Sequence, residues 1–388
     1  MKMNFLLLPL LALSLSCGSD DPIEVPAGPT TDTTTETTTE TTTYALTNKA
    51  ATAETKQLFQ LLADCYGRKI LSGVVANVDW NTREAENVRR WTGQYPALNC
   101  FDFINLHASR DVNSQGWLDY SAITCVKDWH SNGGIVACMW HWQVQSNDGK
   151  HMTCSPGTAD GETSFSASRA VSSGTAENKQ VLKDIDQLAG YLKKMQQAGI
   201  PVIWRPLHEA AGNIYSSNGK AWFWWGADGP EAFKQLWRLL YTRLTDYHKL
   251  NNLIWVWTSQ TDDDDFYPGA EYVDIVGRDN YYALQYPLAK EFKQLSEQYP
   301  DKMVTLAECG NGDEVQMSKL GKIWQQGSRW SWFMTWYDYS YNEAVPADAT
   351  TEPADAPDHQ FAGREWWQEA FSHDYCLKRE DIKNMLQK

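Results

Sequence analysis

Eight short apolar segments, separated by longer amphipathic stretches, constrain the fold of this 388-residue chain more than any other feature of its sequence. Alternation of this kind indicates repeated strand–helix units whose strands pair in parallel. Eight units in one continuous region predict an α/β fold, a (β/α)8 TIM barrel in a single domain. A doubly wound open sheet is the alternative, which we disfavour because no glycine-rich phosphate-binding turn follows the first strand. The predicted strands are Lys69–Val75, Tyr95–Phe103, Gly134–Trp142, Pro201–Glu209, Leu253–Thr258, Val273–Asp279, Met303–Glu308 and Trp332–Trp336, and the main predicted helices are Ala53–Tyr66, Lys179–Gln197, Glu231–Lys249, Pro287–Tyr299 and Val315–Gln325.

The fourth predicted strand begins with the apolar run Pro201–Trp204 and continues to three polar side chains, Arg205, His208 and Glu209. In a (β/α)8 barrel the loops after the strands build the active site, so polar groups at a strand exit are candidates for catalysis. A carboxylate beside a histidine and an arginine suits general acid/base chemistry. Taken alone, however, Glu209 could equally be a helix cap or an ion-pair partner.

A second carboxylate, Glu308, stands at the end of the seventh predicted strand. Strands four and seven lie nearly opposite each other in an eight-stranded barrel, so Glu209 and Glu308 are expected to face one another across its mouth. Retaining glycosidases use two carboxyl groups about 5–5.5 Å apart, one as acid/base and one as nucleophile. The two positions therefore predict a retaining glycosidase that requires no metal and no other cofactor.

Aromatic content and net charge narrow the class of ligand. Tryptophan occurs 19 times, and the aromatic segment Trp222–Gly226 follows Glu209 closely. Part of this aromatic content must fill the core, but indole faces also stack on the C–H faces of sugar rings. The formal net charge of −15 argues against a nucleic-acid partner, which selects basic patches. We therefore expect a carbohydrate ligand.

Residues 1–16 have the features of a signal peptide. Lys2 supplies positive charge, and the apolar run Phe5–Leu15 is too short to span a membrane as a mature helix. The sequence Ser14-Leu15-Ser16-Cys17 resembles a bacterial lipoprotein signal, which implies lipidation at Cys17. An ordinary signal peptide with an incidental cysteine is the alternative.

The threonine-rich segment 17–44 cannot bury enough apolar area to fold, so it is predicted to be a solvated tether. Residues 45–388 then form the catalytic domain. The residues Ser19-Asp20-Asp21 resemble the surface-export signal of Bacteroidetes lipoproteins. We expect a protein anchored to the outer membrane through lipid alone and exposed at the cell surface, with the periplasmic face as the alternative.

Seven cysteines follow Cys17, and none of them has the CxxC spacing of a metal site. The three in predicted strands, Cys100, Cys138 and Cys309, are expected to be packed thiols. A disulfide is possible among the other four in an exported protein; they are Cys65, Cys125, Cys154 and Cys376. The acidic run Asp262–Asp265 lacks the ligand spacing and glycine of an EF-hand, so a solvated loop is expected there.

Four segments together resemble glycoside hydrolase family 26, a retaining clan A family of (β/α)8 enzymes whose commonest activity is β-mannanase. The histidine at His208 is part of the resemblance, since most clan A families place asparagine before the acid/base. The resemblance extends from about residue 50 to the end and implies a plant β-mannan as substrate. The segments are Arg205–Glu209, Trp222–Gly226, Val276–Tyr281 and Leu306–Gly310.

The resemblance also implies roles for individual residues at the centre of the site. Glu209 would be the acid/base and Glu308 the nucleophile. Tyr281 would hydrogen-bond the nucleophile and keep it ionised, and Asp279 would hold its neighbours, although it could also be a structural ion-pair partner of Arg278 or Arg205. His208 would orient Glu308 or bind the sugar 2-hydroxyl.

Three further residues would contact the sugars directly. Trp336 would form the floor of subsite −1 by stacking, His141 would bind sugar, and Trp222 would lie by subsite +1. The chain departs from the commonest family pattern in two places: it inserts Asn213–Ala221 beside the aglycone subsites, and it has Tyr337 where some mannanases have a glycone-binding arginine.

The sequence therefore predicts a retaining endo-β-1,4-mannanase, monomeric by default. A family 26 xylanase or mixed-linkage β-glucanase remains open, because one sequence does not reveal how the axial 2-hydroxyl of mannose is recognised. An exo-acting mannobiohydrolase also remains open, since the long segment Ser146–Ala176 could close the cleft. A non-catalytic surface glycan-binding lipoprotein is the alternative from another class, and it is disfavoured because both carboxylates are present.

Overall fold

Eight parallel strands close into a barrel in the computed structural model of this protein. Each strand pairs with the next along the chain, and the eighth pairs with the first, with Leu71 opposite Trp332. The predicted (β/α)8 architecture is therefore confirmed. The strands are β1 (Ile70–Val75), β2 (Leu98–Asp102), β3 (Ile135–Trp140), β4 (Val202–Pro206), β5 (Leu253–Ser259), β6 (Ile275–Asn280), β7 (Met303–Cys309) and β8 (Trp332–Thr335).

The structure describes residues 43–76, 80–110, 119–215, 219–283, 287–311, 317–346 and 348–387. The predicted signal peptide 1–16, the lipidation site Cys17 and the tether up to residue 42 lie outside the described residues. Within them, no helix has both the length and the apolar character needed to cross a membrane.

Helices cover the outside of the barrel and separate its strands along the chain. After β5 the connection contains only the short 3-10 helices Asp264–Phe266 and Ala270–Tyr272. The α-helices are α1 (Ala53–Cys65), α2 (Arg83–Thr92), α3 (Thr124–Ser131), α4 (Ala167–Ala170), α5 (Ala176–Gln197), α6 (Trp224–Ala227), α7 (Pro230–Tyr241), α8 (Leu288–Gln298), α9 (Leu320–Gln325), α10 (Tyr339–Ala344), α11 (Arg364–Phe371) and α12 (Arg379–Leu386).

Side chains alternate between two apolar layers along each strand, because successive residues of a strand point to opposite faces. In β5, Trp255 and Trp257 pack outward against the helices, whereas Ile254 and Val256 fill the barrel interior. Eleven tryptophans of the described residues are fully buried. Most of the tryptophan content is therefore core, and only a minor part is available to a ligand.

Several predicted boundaries differ from the structure. Glu209 was expected to end the fourth strand, but β4 stops at Pro206 and Glu209 lies three residues further on. Proline lacks the N–H donor that would extend the strand pairing, and Leu207 and Glu209 then adopt left-handed φ angles of 50° and 48°. His141 and Trp336 likewise lie directly after β3 and β8 rather than within them.

Other elements were not predicted. The helix expected at Glu231–Lys249 is α7 followed by a π-helical segment, Thr242–Tyr247. The short strand Cys376–Leu377 adds to the sheet beside β1, and a small hairpin pairs Val144–Gln145 with Met152–Thr153. None of the seven cysteines of the described residues forms a disulfide, so the disulfide considered above is absent there, and Cys100, Cys138 and Cys309 are buried as expected.

Candidate active site

Three carboxylates meet at the mouth of the barrel, where β4, β6 and β7 end. Oxygen atoms of Glu209, Asp279 and Glu308 lie within 4.8 Å of one another. The structure therefore brings Glu209 and Glu308 together across the mouth at a separation close to the roughly 5–5.5 Å of retaining glycosidases. Such closely spaced anions require a nearby cation, or protonation of at least one of them.

Arg205 supplies that cation from the interior of β4. Its Nη1 donates to Asp279 Oδ2 at 2.9 Å and to Thr258 Oγ1 at 3.2 Å, and its Nη2 donates to Glu308 Oε1. The guanidinium is fully buried. Asp279 is therefore an ion-pair partner of Arg205, whereas Arg278 points to the outer layer and pairs with Glu291 at 3.1 Å.

A β-bulge in β7 turns Glu308 towards the barrel interior. Arg278 pairs with Leu306 but the next residue, Asp279, pairs with Glu308, so β7 contains one extra residue, Ala307. Strict alternation after the outward-facing Leu306 would have placed Glu308 outside. Ala307 also points inward, and its space is provided by Gly277, because a Cβ there would lie 2.8 Å from that of Ala307. Bulges commonly redirect side chains beside active sites in this way.

The environment of Glu308 favours its ionised form. Besides the contact with Arg205, its Oε2 accepts a hydrogen bond of 2.7 Å from the Tyr281 hydroxyl. Burial raises the pKa of Tyr281 well above its usual value, and the nearby carboxylates raise it further, so the phenol stays protonated and can donate. Two donors on one carboxylate stabilise its charge and fix its direction.

Glu209 has the opposite environment. Burial first, and then the charge of Asp279, raise the pKa of Glu209 to about 8, although Arg205 lowers it. At neutral pH the carboxyl group is therefore mostly protonated. The backbone around it is held by Gly212, whose N–H donates to Glu209 O at 3.1 Å and to Gln260 Oε1 at 2.7 Å. Left-handed backbone at a non-glycine residue costs about 1–3 kcal/mol and is concentrated at functional sites.

Two histidines stand beside the carboxylates. His141 Nδ1 contacts Asp102 Oδ2, and its backbone N–H donates to Asp102 Oδ1 at 3.1 Å, which fixes the ring. The His208 ring meets that of His141 edge to face at 4.5 Å. Burial first, and then Arg205 and His141, lower the pKa of His208 well below its usual value, so this ring is neutral. The described donors to Glu308 are Arg205 and Tyr281, and sugar binding by His208 stays a prediction.

Some aromatic residues of the segment Trp222–Gly226 lie at the site, and others are buried in the core. Trp222 is 38% exposed and faces solvent, whereas Trp224 and Trp225 are fully buried. Phe223 lies with its ring 5.2 Å from that of His208 and is stacked on Trp225 at 4.4 Å. Trp336 approaches the same histidine cluster from β8, with its ring 6.3 Å from that of His141.

Sequence reasoning missed three residues of this site: Arg205 as the link between two carboxylates, Asp102 as the partner of His141, and Phe223 as the neighbour of His208. For the first two a signal was available. Each is a charged residue within or at the end of an otherwise apolar strand, and a buried charge requires a partner.

Comparison with known proteins identifies the family. The sequence profile described as glycosyl hydrolase family 26 matches residues 47–351 of this chain. The chain belongs to glycosyl hydrolase family 26. Among curated relatives, a mannan endo-1,4-beta-mannosidase of Thermothelomyces thermophilus is 36% identical over 305 residues, which are 77% of this chain and 58% of that protein. Mannan endo-1,4-beta-mannosidase A of Piromyces sp is 33% identical over 75% of this chain and 45% of the relative. The chain thus spans about half the length of these family members.

Solved structures of the family agree with the fold. The family 26 domain of an endo-beta-mannanase/endo-beta-glucanase from Prevotella bryantii has a TM-score of 0.75 at 38% identity, covering 87% of this chain and 98% of that one. A beta-mannanase from a symbiotic protist of the termite Reticulitermes speratus, complexed with gluco-manno-oligosaccharide, has a TM-score of 0.69 at 28% identity and covers 87% and 97%.

Proposed function

We propose that this protein is a retaining endo-β-1,4-mannanase that hydrolyses mannan, glucomannan or galactomannan. One observation carries the proposal: two carboxyl groups of opposite protonation preference, Glu209 and Glu308, lie within 4.8 Å of each other at the barrel mouth. The separation fits a double displacement, in which no water has to fit between the second carboxylate and the sugar. The named activities of the relatives support mannan as the substrate.

In the first step Glu308 attacks the anomeric carbon and forms a glycosyl ester, while the bond from that carbon to the glycosidic oxygen breaks. Glu209 gives its proton to the departing oxygen. In the second step Glu209, now a carboxylate, takes a proton from water, whose oxygen attacks the same carbon and releases Glu308. Two inversions give net retention. Arg205 and Tyr281 keep the nucleophile ionised and aimed in both steps.

The surrounding residues bind the sugar in this proposal. Trp336 and Trp222 offer ring faces on the two sides of the scissile bond, and His141 and the neutral His208 offer nitrogens to hydroxyl groups. Tyr337, whose ring centroid lies 5.0 Å from that of Trp336, takes the place of the arginine found in some mannanases. Burial raises the pKa of Tyr337 to about 12, so it offers a neutral donor there.

Substrate and stereochemistry can be tested together. Purified protein is incubated with galactomannan, xylan and barley mixed-linkage glucan, and the anomer released first from mannohexaose is followed by NMR. We expect hydrolysis of mannan with initial β-anomer, and loss of hydrolysis by Glu308→Ala, with folding checked by circular dichroism. Hydrolysis of xylan or glucan alone would refute mannan as the substrate, and initial α-anomer would refute the double displacement. Early long oligosaccharides indicate endo action, whereas mannobiose alone from the start would indicate a mannobiohydrolase.

We further propose that the chain is a lipoprotein of the outer membrane, exposed at the cell surface, in which residues 17–44 tether the catalytic domain 45–388. The support is the sequence around Cys17 and the composition of the tether. Palmitate labelling of the wild type, absent in Cys17→Ser, tests the anchor. Digestion by protease added to intact cells distinguishes the surface from the periplasmic face. Light scattering of the soluble catalytic domain tests the expected monomer.

A further inference from the structure

Exposed aromatic rings are concentrated on one face of the barrel. Among the described residues, the segments that follow β4, β6 and β8 carry Tyr215 (44% exposed), Trp222, Tyr282 and Tyr339. One further exposed tyrosine, Tyr247, lies at the opposite face, at the end of the π-helical segment that leads into β5. Apolar rings exposed around a functional mouth indicate a ligand surface. Tyr215 has the most distinctive support of the four, because it belongs to the inserted segment.

The Tyr215 ring is exposed but held in place. Its edge packs against Phe266 with ring centroids 6.2 Å apart, and its hydroxyl donates to Asp265 Oδ2. Both partners lie on the neighbouring loop, after β5. At the base of the inserted loop, Asn213 N–H donates to Lys220 O at 2.8 Å. A ring fixed in this way loses little conformational entropy when a ligand binds to its open face.

The position of Tyr215 in the ring of strands indicates which part of a substrate would reach it. Its loop follows β4, whereas Trp336 follows β8, which stands four strands away in the eight-stranded barrel. Sugars over Trp336 and sugars beside Tyr215 therefore occupy opposite sides of the mouth. Glu209, the proton donor to the departing oxygen in the proposed function, follows the same strand as Tyr215. Tyr215 is thus on the leaving-group side.

We propose that Tyr215 is a stacking platform for a further mannosyl unit on the leaving-group side, and that Asp265 fixes its orientation. This inference rests on the proposed mannanase function and goes beyond the pair of subsites at the scissile bond. It assigns a binding role to the inserted segment. The competing explanation is that Tyr215 and Asp265 only anchor the loop. The two differ in what the ring itself contributes: Tyr215→Phe removes the hydrogen bond but keeps the ring, whereas Tyr215→Ala removes both.

The test measures binding of mannohexaose by calorimetry to the full-length protein carrying Glu308→Gln, so that the ligand is not consumed. Adding Tyr215→Ala should weaken the affinity by roughly three- to ten-fold, the range of an aromatic stacking contact. Adding Tyr215→Phe should weaken it by less than about two-fold. Tyr247→Ala, which removes an exposed tyrosine from the opposite face, is the matched control and should have no effect.

A kinetic arm uses the otherwise wild-type protein. Tyr215→Ala should lower kcat/KM for mannohexaose but not for an aryl β-mannobioside, whose leaving group contains no sugar. Equal losses of mannohexaose affinity in Tyr215→Phe and Tyr215→Ala, or unchanged affinity in Tyr215→Ala, would overturn the stacking role of Tyr215. If the wild type still hydrolyses mannan in that case, the proposed function stands. Failure of the wild type to hydrolyse or bind any mannan would overturn both.

Discussion

The raised pKa of Glu209 implies that this carboxyl group reduces the stability of the fold at neutral pH. An exposed glutamate in the unfolded chain has a pKa of about 4.3, whereas burial and Asp279 raise it to about 8 in the folded protein. The unfolded state therefore releases this proton between pH 4.3 and 8 while the folded state retains it. Stability associated with the carboxyl group is fully present below pH 4.3 and is lost as pH rises towards 8.

Glu209→Gln removes this pH-dependent cost while preserving the size of the side chain. Each pKa unit corresponds to 1.36 kcal/mol, so the cost at pH 7 is on the order of 3 kcal/mol. Domains somewhat smaller than this one gain roughly 2–4 °C in Tm per kcal/mol, so at pH 7 we expect Glu209→Gln to melt several degrees above the wild type. The advantage should shrink as pH falls from 7 to 4.5, because protonated Glu209 and glutamine are both neutral.

Calorimetry of the wild type and Glu209→Gln across pH 4.5–8.5 measures this difference. Glu308→Gln is the matched control and should have the opposite sign, because it replaces the charged acceptor of Arg205 and Tyr281. A hydrogen bond to a charged group contributes about 1.5–3 kcal/mol. A Tm difference between the wild type and Glu209→Gln that stays constant from pH 5 to 8 would refute the raised pKa.

Three further outcomes are expected. First, kcat/KM of the wild type should fall above pH 8, about ten-fold per pH unit, as Glu209 loses its proton; a rate that stays level to pH 9.5 would contradict this. Second, Tyr281→Phe should lower kcat about 10- to 100-fold with little change in KM, because a donor to a charged group contributes about 1.5–3 kcal/mol; steady-state kinetics on mannohexaose measures it, and an unchanged kcat would rule the donor out. Third, Arg205→Lys should lose most activity while remaining folded, because a single ammonium cannot bridge Asp279 and Glu308 as the guanidinium does; full activity of this variant would show that the bridge is dispensable.

The barrel could be predicted from the sequence because both faces of its strands are apolar. Segments such as 253–259 are buried along their whole length, and this leaves a continuous apolar run that is bounded by polar stretches. The strand count then assigned Glu209 and Glu308 to strands four and seven, and the structure places both at the mouth. The residue types and order of the segments contained this information, and no side-chain geometry was needed.

The geometry of the site could not be predicted, since it depends on local departures from regular structure. Alternation along β7 would turn Glu308 outward, and only the extra residue Ala307 turns it inward. The alternation of side chains along a strand also fails to predict the position of Glu209, because the chain leaves the strand at Pro206. Leu207 and Glu209 then have left-handed φ angles, and this turn brings Glu209 to the mouth. Bulges and left-handed turns depend on contacts with neighbouring strands, such as the space at Gly277, that are distant in sequence.

The bulge, the left-handed turn and the buried charges of the site require a rigid surrounding, and buried tryptophans contribute to it. The mouth holds Arg205, a protonated Glu209 and left-handed backbone, each of which costs free energy. Such a site persists only where the surrounding structure determines its geometry. The layer between strands and helices provides this rigidity: Trp204, Trp255 and Trp257 are fully buried beside the strands that carry the site. Large rings in a close-packed layer resist rearrangement, so β4 and β5 hold Arg205 and Thr258 in place, and Arg205 in turn links Asp279 and Glu308.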